Sequence, residues 1–122
     1  SGTWYQVTDQ GAREGNYLES SATALFIYTL AKAINKGYIG NEYIEPTQKA
    51  FDGMVKTFTR LEEDGSYTIT NCCAVAGLGG DSKRYRDGSF EYYISEPIIE
   101  NDPKSVGSFI LAAIEYEKMT KK

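Results

Sequence analysis

Apolar residues recur at helical spacing in the first third of the chain and predict a buried helix. The residues at this spacing are Leu18, Ala22, Leu25, Phe26, Ala33 and Ile34, and the other faces carry Ile27, Tyr28, Leu30 and Ala31. No charged residue lies between Glu19 and Lys32, and a helix that is apolar nearly all round is normally enclosed. Asn16 and Glu19 have the spacing of an N-cap and its partner three residues on, and Gly37 is a natural C-terminal stop.

Two more helices follow from the same kind of pattern. Pro46 suits the first helical position, because its missing N–H would be unpaired there anyway. The predicted buried stripe of this second helix consists of Ala50, Phe51, Met54, Val55, Phe58 and Leu61. Asp102 and Pro103 open the third helix, with Asp102 as the N-cap. Its predicted buried stripe consists of Val106, Phe109, Ile110, Ala113 and Ile114, and the helix ends in a lysine-rich tail.

The stretch between the second and third helices is less regular. Residues from Tyr67 to Thr70 alternate weakly and predict a short strand, and residues 71–101 show no long periodicity. An irregular segment of that length inside a compact domain is often a functional loop. The pattern therefore predicts one mainly α-helical domain over residues 1–122, with about three helices, a long irregular loop and a short strand. Three helices enclose an all-apolar helix poorly, so either the loop or another chain should cover it.

Charge and composition exclude several partners and chemistries. The formal net charge is -4 and the acidic residues are scattered, which argues against nucleic acid and anionic membrane surfaces, since both need clustered Lys and Arg. No segment is long and apolar enough to span a membrane. The chain has no His, so it lacks the usual general base and the commonest metal ligand.

The two cysteines are adjacent, at Cys72 and Cys73. Neighbouring cysteines rarely satisfy disulfide geometry, and two thiols without imidazole ligands are too few for zinc. We therefore expect free, buried thiols, no metal site and a reducing compartment, with the cytoplasm as the default location and the periplasm also open.

Two loop motifs carry candidate chemistry. The run from Gly77 to Gly80 lacks the Lys and Ser/Thr of a phosphate-binding P-loop, so a tight turn with positive φ is the better interpretation. The segment from Arg84 to Tyr93 contains two Arg, two acids and four aromatic residues. An Arg fork suits a sugar carboxylate and aromatic rings stack on sugar faces. Composition alone favours the alternative, an internal Arg–Asp pair that holds the loop.

Five carboxylates are candidates for acid/base work, namely Glu19, Asp87, Glu91, Glu96 and Asp102. Glycosidase chemistry needs two carboxyl groups at a defined separation, and the pattern does not show that any two face each other. Asp102 is better explained as an N-cap, and Glu19 as the capping-box partner.

Five blocks of the sequence carry a resemblance to a known family, namely Trp4-Tyr5-Gln6-Val7, Glu14 to Ala22, Val75 to Gly80, Arg86 to Pro97, and Asn101-Asp102. The blocks occur in one order across nearly the whole chain, which is a stronger signal than any single block. Together they resemble the glycoside hydrolases of families 88 and 105, and in particular the C-terminal third of the unsaturated rhamnogalacturonyl hydrolases.

The resemblance implies a fold and a reaction. The fold is an (α/α)6 toroid of six helical hairpins, and this chain would supply only the last hairpins of the ring. The reaction removes a 4,5-unsaturated uronic acid from pectin-derived oligosaccharides. An Asp protonates C4 of the vinyl ether, water adds at C5, and the hemiketal opens to release the aglycone. The family needs no metal or organic cofactor.

The resemblance also limits which residues this chain contributes. The family's catalytic Asp, its partner Asp and its pocket His and Trp residues match nothing here, so no catalytic residue is assigned and the chain alone should be inactive. Trp4, Arg86, Tyr92 and Tyr93 are the candidate substrate-binding residues. The expected partners are an oligosaccharide with an unsaturated uronic acid and, through the face that the rest of a toroid would cover, a second copy of the chain. The alternatives are a non-catalytic carbohydrate-binding or association module and an unrelated helical protein.

Overall fold

The computed structural model describes residues 1–81 and 83–121. Its helices are α1 (Ser20–Asn35), α2 (Ile44–Phe58), α3 (Phe90–Ser95) and α4 (Pro103–Thr120), with a 3-10 turn at Asn41–Tyr43. Its strands are β1 (Thr59–Leu61), β2 (Tyr67–Ile69), β3 (Cys72–Cys73) and β4 (Ile98–Ile99). Two antiparallel pairs form, β1 with β2 and β3 with β4. The mainly helical class is confirmed, and the segment expected to be irregular contains β3, α3 and β4.

Helices α1 and α2 begin a few residues away from the positions that the sequence predicts. Glu19, not Asn16, is the N-cap of α1, and its side chain accepts a hydrogen bond from Ala22 N. Asn16 instead closes the preceding loop by donating to the carbonyls of Val7 and Gln10. Helix α2 begins two residues before Pro46, which is tolerated because no N–H in the first turn has an intrahelical partner. Asp102 caps α4 as predicted.

Helix α1 packs most extensively against α4, and the two run parallel. Their N-terminal ends both reach the β3 region, through Ser20 N to Asn71 O and Lys104 Nζ to Ala74 O. Further along both helices, the Asn35 side chain donates to the Glu115 carbonyl. The main core contains Ala24, Ile27, Ala50, Met54, Phe58 and Ala112. Ala50, Met54 and Phe58 of α2 therefore complete a core that α1 and α4 begin.

The predicted buried stripe of α4 is mostly wrong, because Ile110, Ala113 and Ile114 are exposed and Phe109 is the member that packs against the core. The buried residues of this helix are Ser105, Ser108, Ala112 and Met119, whereas Ile110 is 56% exposed and Ile114 45% exposed. Small side chains on the buried face let the two helix axes approach closely. The predicted stripe on α2 is also incomplete, because Val55 is exposed and Leu61 lies on β1, where it is exposed too.

The predicted all-apolar helix is not fully enclosed by its own chain. In α1, Leu25 is 48% exposed and Phe26 is 41% exposed. The neighbouring α4 carries its own exposed apolar residues, Ile110, Leu111 and Ile114. The long loop folds over the N-terminal end of α1 and leaves these side chains uncovered.

Candidate functional site

The described residues between β3 and α3, namely 74–81 and 83–89, are called the arginine loop below. Gly79 and Arg86 exchange both backbone hydrogen bonds at 2.8 Å, which closes a tight turn. Gly79 and Gly80 have φ of 76° and 121°, and a Cβ on Gly80 would lie 2.6 Å from the Arg84 carbonyl oxygen. The predicted positive φ is confirmed at Gly79 and Gly80, and the Gly79 N–H is committed to the loop itself.

Glu96 is the charged centre of the site. Its side chain is fully buried, and its Oε2 accepts a hydrogen bond of 2.5 Å from Arg84 Nη2. Arg86 Nε lies 3.6 Å from Glu96 Oε1. The predicted Arg–Asp pair is therefore wrong, since both arginines pair with Glu96 and Asp87 instead accepts a hydrogen bond from Ser89 N.

The surroundings of Glu96 keep it ionised. Burial raises the pKa of this carboxyl, but the nearby Tyr92 hydroxyl and the guanidinium groups of Arg84 and Arg86 lower it more, so the net pKa is below its ordinary value. Two guanidinium groups therefore approach the single Glu96 carboxylate, while Asp81 and Asp87 on the same loop accept backbone hydrogen bonds.

Arg86 has unused hydrogen-bonding capacity. No hydrogen bond joins its terminal nitrogens to another described residue, and its side chain is partly exposed. Its buried Nε and the Glu96 Oε1 both lack a hydrogen-bond partner among the described residues. A guanidinium with open terminal nitrogens can bind a carboxylate through two parallel hydrogen bonds.

Tyr92 and Tyr93 lie beside this ion cluster on α3. Ser89 is the N-cap of α3 and accepts from Tyr92 N, which fixes the start of the helix. The Tyr92 hydroxyl accepts a hydrogen bond of 3.1 Å from Gly77 N and so reaches the start of the arginine loop. The Tyr92 and Tyr93 rings are 5.0 Å apart and inclined by 53°.

The N-terminal loop supports α3 from its other side. Arg13 donates to Glu91 at 2.5 Å, and its guanidinium lies 3.9 Å from the centre of the Phe90 ring. Gly15 has φ of 87° and lies against Ile94, where a Cβ would come within 2.8 Å of that side chain. This loop was not assigned a role from the sequence, because its partners on α3 are more than seventy residues away along the chain.

Trp4 belongs to a different surface. It lines an open groove of about 360 Å³ with Thr8, Phe26, Thr29 and Leu30, and its ring meets that of Phe26 edge to face at 5.1 Å. The groove has apolar and hydroxyl groups and contains no residue of the arginine loop. The structure thus brings Arg86 and Tyr92 together at Glu96, places the Tyr93 ring against that of Tyr92, and puts Trp4 on a different groove.

The other candidate carboxylates have structural partners. Glu19 is 1% exposed, and its oxygens accept from Ser21 Oγ, Ala22 N and Cys73 N. Among residues 1–81 and 83–121, no group of three or more metal-ligating side chains comes together. None of the described helices is long and apolar enough to cross a lipid bilayer.

Comparison with solved structures identifies the class of the fold. Over 94% of its length the chain matches a C. acetobutylicum glycoside hydrolase from family 105 with a TM-score of 0.90 and 46% identity. A possible member of the same family from Klebsiella pneumoniae matches with a TM-score of 0.71 and 28% identity over 99% of the chain. The chain covers 31% and 27% of these proteins. Its helices therefore correspond to part of an α/α-toroid glycoside hydrolase.

The family follows from the sequence match. Residues 1–120 match the model of Glycosyl Hydrolase Family 88, and the chain belongs to that family. Two curated relatives are each 37% identical over 119 residues, namely protein Atu3128 of Agrobacterium fabrum and a 24.9 kDa protein in the picA locus of Rhizobium radiobacter. The chain spans about half the length of these relatives, at 51% of each.

Proposed function

We propose that this chain is the C-terminal part of an unsaturated rhamnogalacturonyl or glucuronyl hydrolase and forms one wall of its sugar-binding site. The reaction would hydrate the vinyl ether of a 4,5-unsaturated uronic acid on a pectin-derived oligosaccharide. Family membership supports glycoside hydrolysis, and the open guanidinium of Arg86 supports a substrate that carries a carboxylate.

Each candidate residue would have a distinct part in binding. Arg86 would bind the uronate carboxylate through its terminal nitrogens. Tyr92 and Tyr93 offer aromatic surface beside it, and Trp4 offers an apolar surface for a more distant sugar ring. The described carboxylates at this site are committed to other groups, so the proton for C4 would come from residues that this chain does not supply.

A titration tests the binding role of Arg86. Unsaturated and saturated galacturonides are added to the chain, alone and joined to the preceding part of a full-length relative, and binding is measured by calorimetry. Arg86→Gln should weaken binding of the acid sugar by roughly tenfold or more, because a hydrogen bond to a charged group is lost. Lys83→Gln is the matched control, since it removes one positive charge from the same loop.

The outcomes separate the alternatives. Binding that requires the joined protein supports a wall of a larger site, whereas specific binding by the isolated chain supports a carbohydrate-binding module. Equal losses in Arg86→Gln and Lys83→Gln would mean that only general charge matters, and the proposal for Arg86 would fail. The isolated chain should not consume the ultraviolet-absorbing double bond of an unsaturated disaccharide. Measurable turnover would contradict the proposal that the proton for C4 comes from residues outside this chain.

The exposed apolar residues support a second proposal, that isolated chains self-associate. The surfaces are the Trp4–Phe26 groove and an open groove of about 630 Å³ lined by Tyr67, Val106, Phe109 and Ile110 among others. Monomeric proteins rarely expose large contiguous apolar surfaces. Light scattering at increasing concentration should show a rise in mean mass that Ile110→Glu reduces. A constant monomer mass would refute self-association.

A further inference from the structure

Glu96 occupies a position that fixes its carboxylate rigidly. It is the last residue before Pro97, at the C-terminal end of α3. The Pro97 carbonyl accepts from Ala74 N at 2.9 Å, and the next two residues form β4 against β3. The backbone on both sides of Glu96 is thus tied to regular structure, while its partners Arg84 and Arg86 lie on a loop.

The contacts of Glu96 reach the arginine loop at several points. Arg84 and Arg86 approach the carboxylate directly. The Tyr92 hydroxyl, which lies near the same carboxylate, accepts the N–H of Gly77 at the beginning of the loop. The Glu96 carboxylate therefore links two parts of the arginine loop, Gly77 through Tyr92 and the arginines directly, to the segment that leads into β4.

Arg86 Nε and Glu96 Oε1 are buried atoms of this cluster that lack a hydrogen-bond partner among the described residues. The Nε–Oε1 separation of 3.6 Å is within ion-pair range but too long for a hydrogen bond. Buried polar atoms without partners are uncommon and call for an explanation. Catalytic and binding hydrogen bonds are often long in free proteins and shorten in the complex. A ligand carboxylate on the outer nitrogens of Arg86 would restrict the guanidinium and favour closure of this gap.

We propose that Glu96 is a positioning residue, which holds Arg84 and Arg86 so that Arg86 presents its terminal nitrogens to an anionic sugar. The inference rests on the proposed function for its ligand, while the positioning itself concerns the free chain. A role as general acid is disfavoured because the lowered pKa leaves no proton to donate near neutral pH.

The positioning is tested without ligand by amide exchange and by NMR of arginine side chains. In Glu96→Gln, exchange at the Gly79 and Arg86 backbone N–H groups should accelerate by roughly tenfold, and the Arg86 Nε–Hε signal should move and exchange faster. Glu91→Gln is the control, because Glu91 is on the same short helix and pairs with exposed Arg13. Unchanged loop exchange in Glu96→Gln would overturn the proposal.

A second variant keeps the test informative if Glu96→Gln folds poorly. Glu96→Asp keeps the negative charge but shortens the side chain by one methylene, so the carboxylate no longer reaches both arginines. Exchange at the Gly79 and Arg86 backbone N–H groups should then accelerate although the charge is unchanged. Unchanged exchange together with an unmoved Arg86 Nε–Hε signal would show that the Glu96 carboxylate does not orient Arg86, and the proposal would fail.

Measurements of galacturonide binding separate the positioning role of Glu96 from sugar binding by the joined protein. If Glu96 orients Arg86, Glu96→Gln and Arg86→Gln should each weaken galacturonide binding by the joined protein, and the double variant should lose little more than Arg86→Gln alone. Additive losses would refute the coupling. A different pair of results would keep the positioning role and reject the proposed function. In that case, loop exchange is faster in Glu96→Gln, but the joined wild-type protein does not bind uronate.

Discussion

Ala112 and Ala113 distinguish two possible orientations of α4. The periodic pattern predicts that Ala113 faces the core, whereas the structure buries Ala112 completely and leaves Ala113 exposed. Ala112 lies in the core cluster with Ala24 and Ile27. Replacing each alanine by leucine adds the same three carbon atoms at adjacent positions, with almost equal helix propensity. The pair of variants therefore tests which face of α4 packs against α1.

The sign of the effect depends on free space. If three carbons found an empty pocket, their burial would stabilise the fold by about 2 kcal/mol, at roughly 0.8 kcal/mol per methylene. Between two closely packed helices they must instead displace neighbours, which costs about 1–3 kcal/mol. We expect Ala112→Leu to destabilise by this amount and Ala113→Leu to stay within about 0.5 kcal/mol of the parent.

Urea unfolding at low protein concentration measures the difference. With a slope of about 1–3 kcal/mol per M, a loss of 2 kcal/mol lowers the midpoint by roughly 1 M. Combining Ala112→Leu with Ile27→Ala should cost less than the sum of the two single changes, because the smaller residue makes room in the same cluster. A larger loss in Ala113→Leu than in Ala112→Leu would refute the observed orientation.

Two more outcomes follow from the charges and thiols. Asp102, Glu100 and Glu115 have lowered pKa values, led by hydrogen bonds from Lys104, Arg60 and Lys118 respectively. Because the unfolded chain binds protons first, the free energy of unfolding should fall as the pH drops below about 5, and urea midpoints that stay constant down to about pH 3 would contradict this. Burial raises the pKa of Cys72, and Cys73 is buried as well. Both thiols should therefore react with a disulfide reagent only after urea is added, and rapid labelling of the native chain would show that the β3 region opens.

Local signals in the sequence located most of the helices but not their orientation. Asp102 capped its helix as expected, because a cap depends on residues within one turn. The buried face of α4 could not be found from hydrophobicity, since its contact with α1 uses Ser105 and Ser108. These serines satisfy their hydroxyls by donating to carbonyls of their own helix, such as Asp102 O and Lys104 O. Hydrophobic periodicity therefore selects a stripe of which Ile110, Ala113 and Ile114 are exposed, whereas Phe109 does pack against the core.

Composition singles out the arginine loop as a candidate site, but it does not identify Glu96 as the residue on which the loop is centred. The Arg and Tyr residues between positions 84 and 93 suggest either a sugar site or an internal ion pair, and the structure shows that both arginines approach Glu96. Glu96 is one of five candidate carboxylates in the sequence. Nothing in its spacing shows that the backbone after α3 folds back and brings Glu96 next to Arg84. That turn depends on the β3–β4 pair, which joins residues about twenty-six positions apart, and two-residue strands leave no periodic signal.

The two buried glutamates show where this fold leaves capacity for a ligand. Glu19 and Glu96 are both almost inaccessible to solvent. Glu19 accepts from two backbone N–H groups and a hydroxyl, so its environment is complete within the chain. Glu96 faces two guanidinium groups, has one oxygen without a hydrogen-bond partner among the described residues, and orients an arginine whose terminal nitrogens are open. A carboxylate that served only stability would be satisfied like Glu19, so the incomplete pairing of Glu96 and the open terminal nitrogens of Arg86 favour recognition of an external anion.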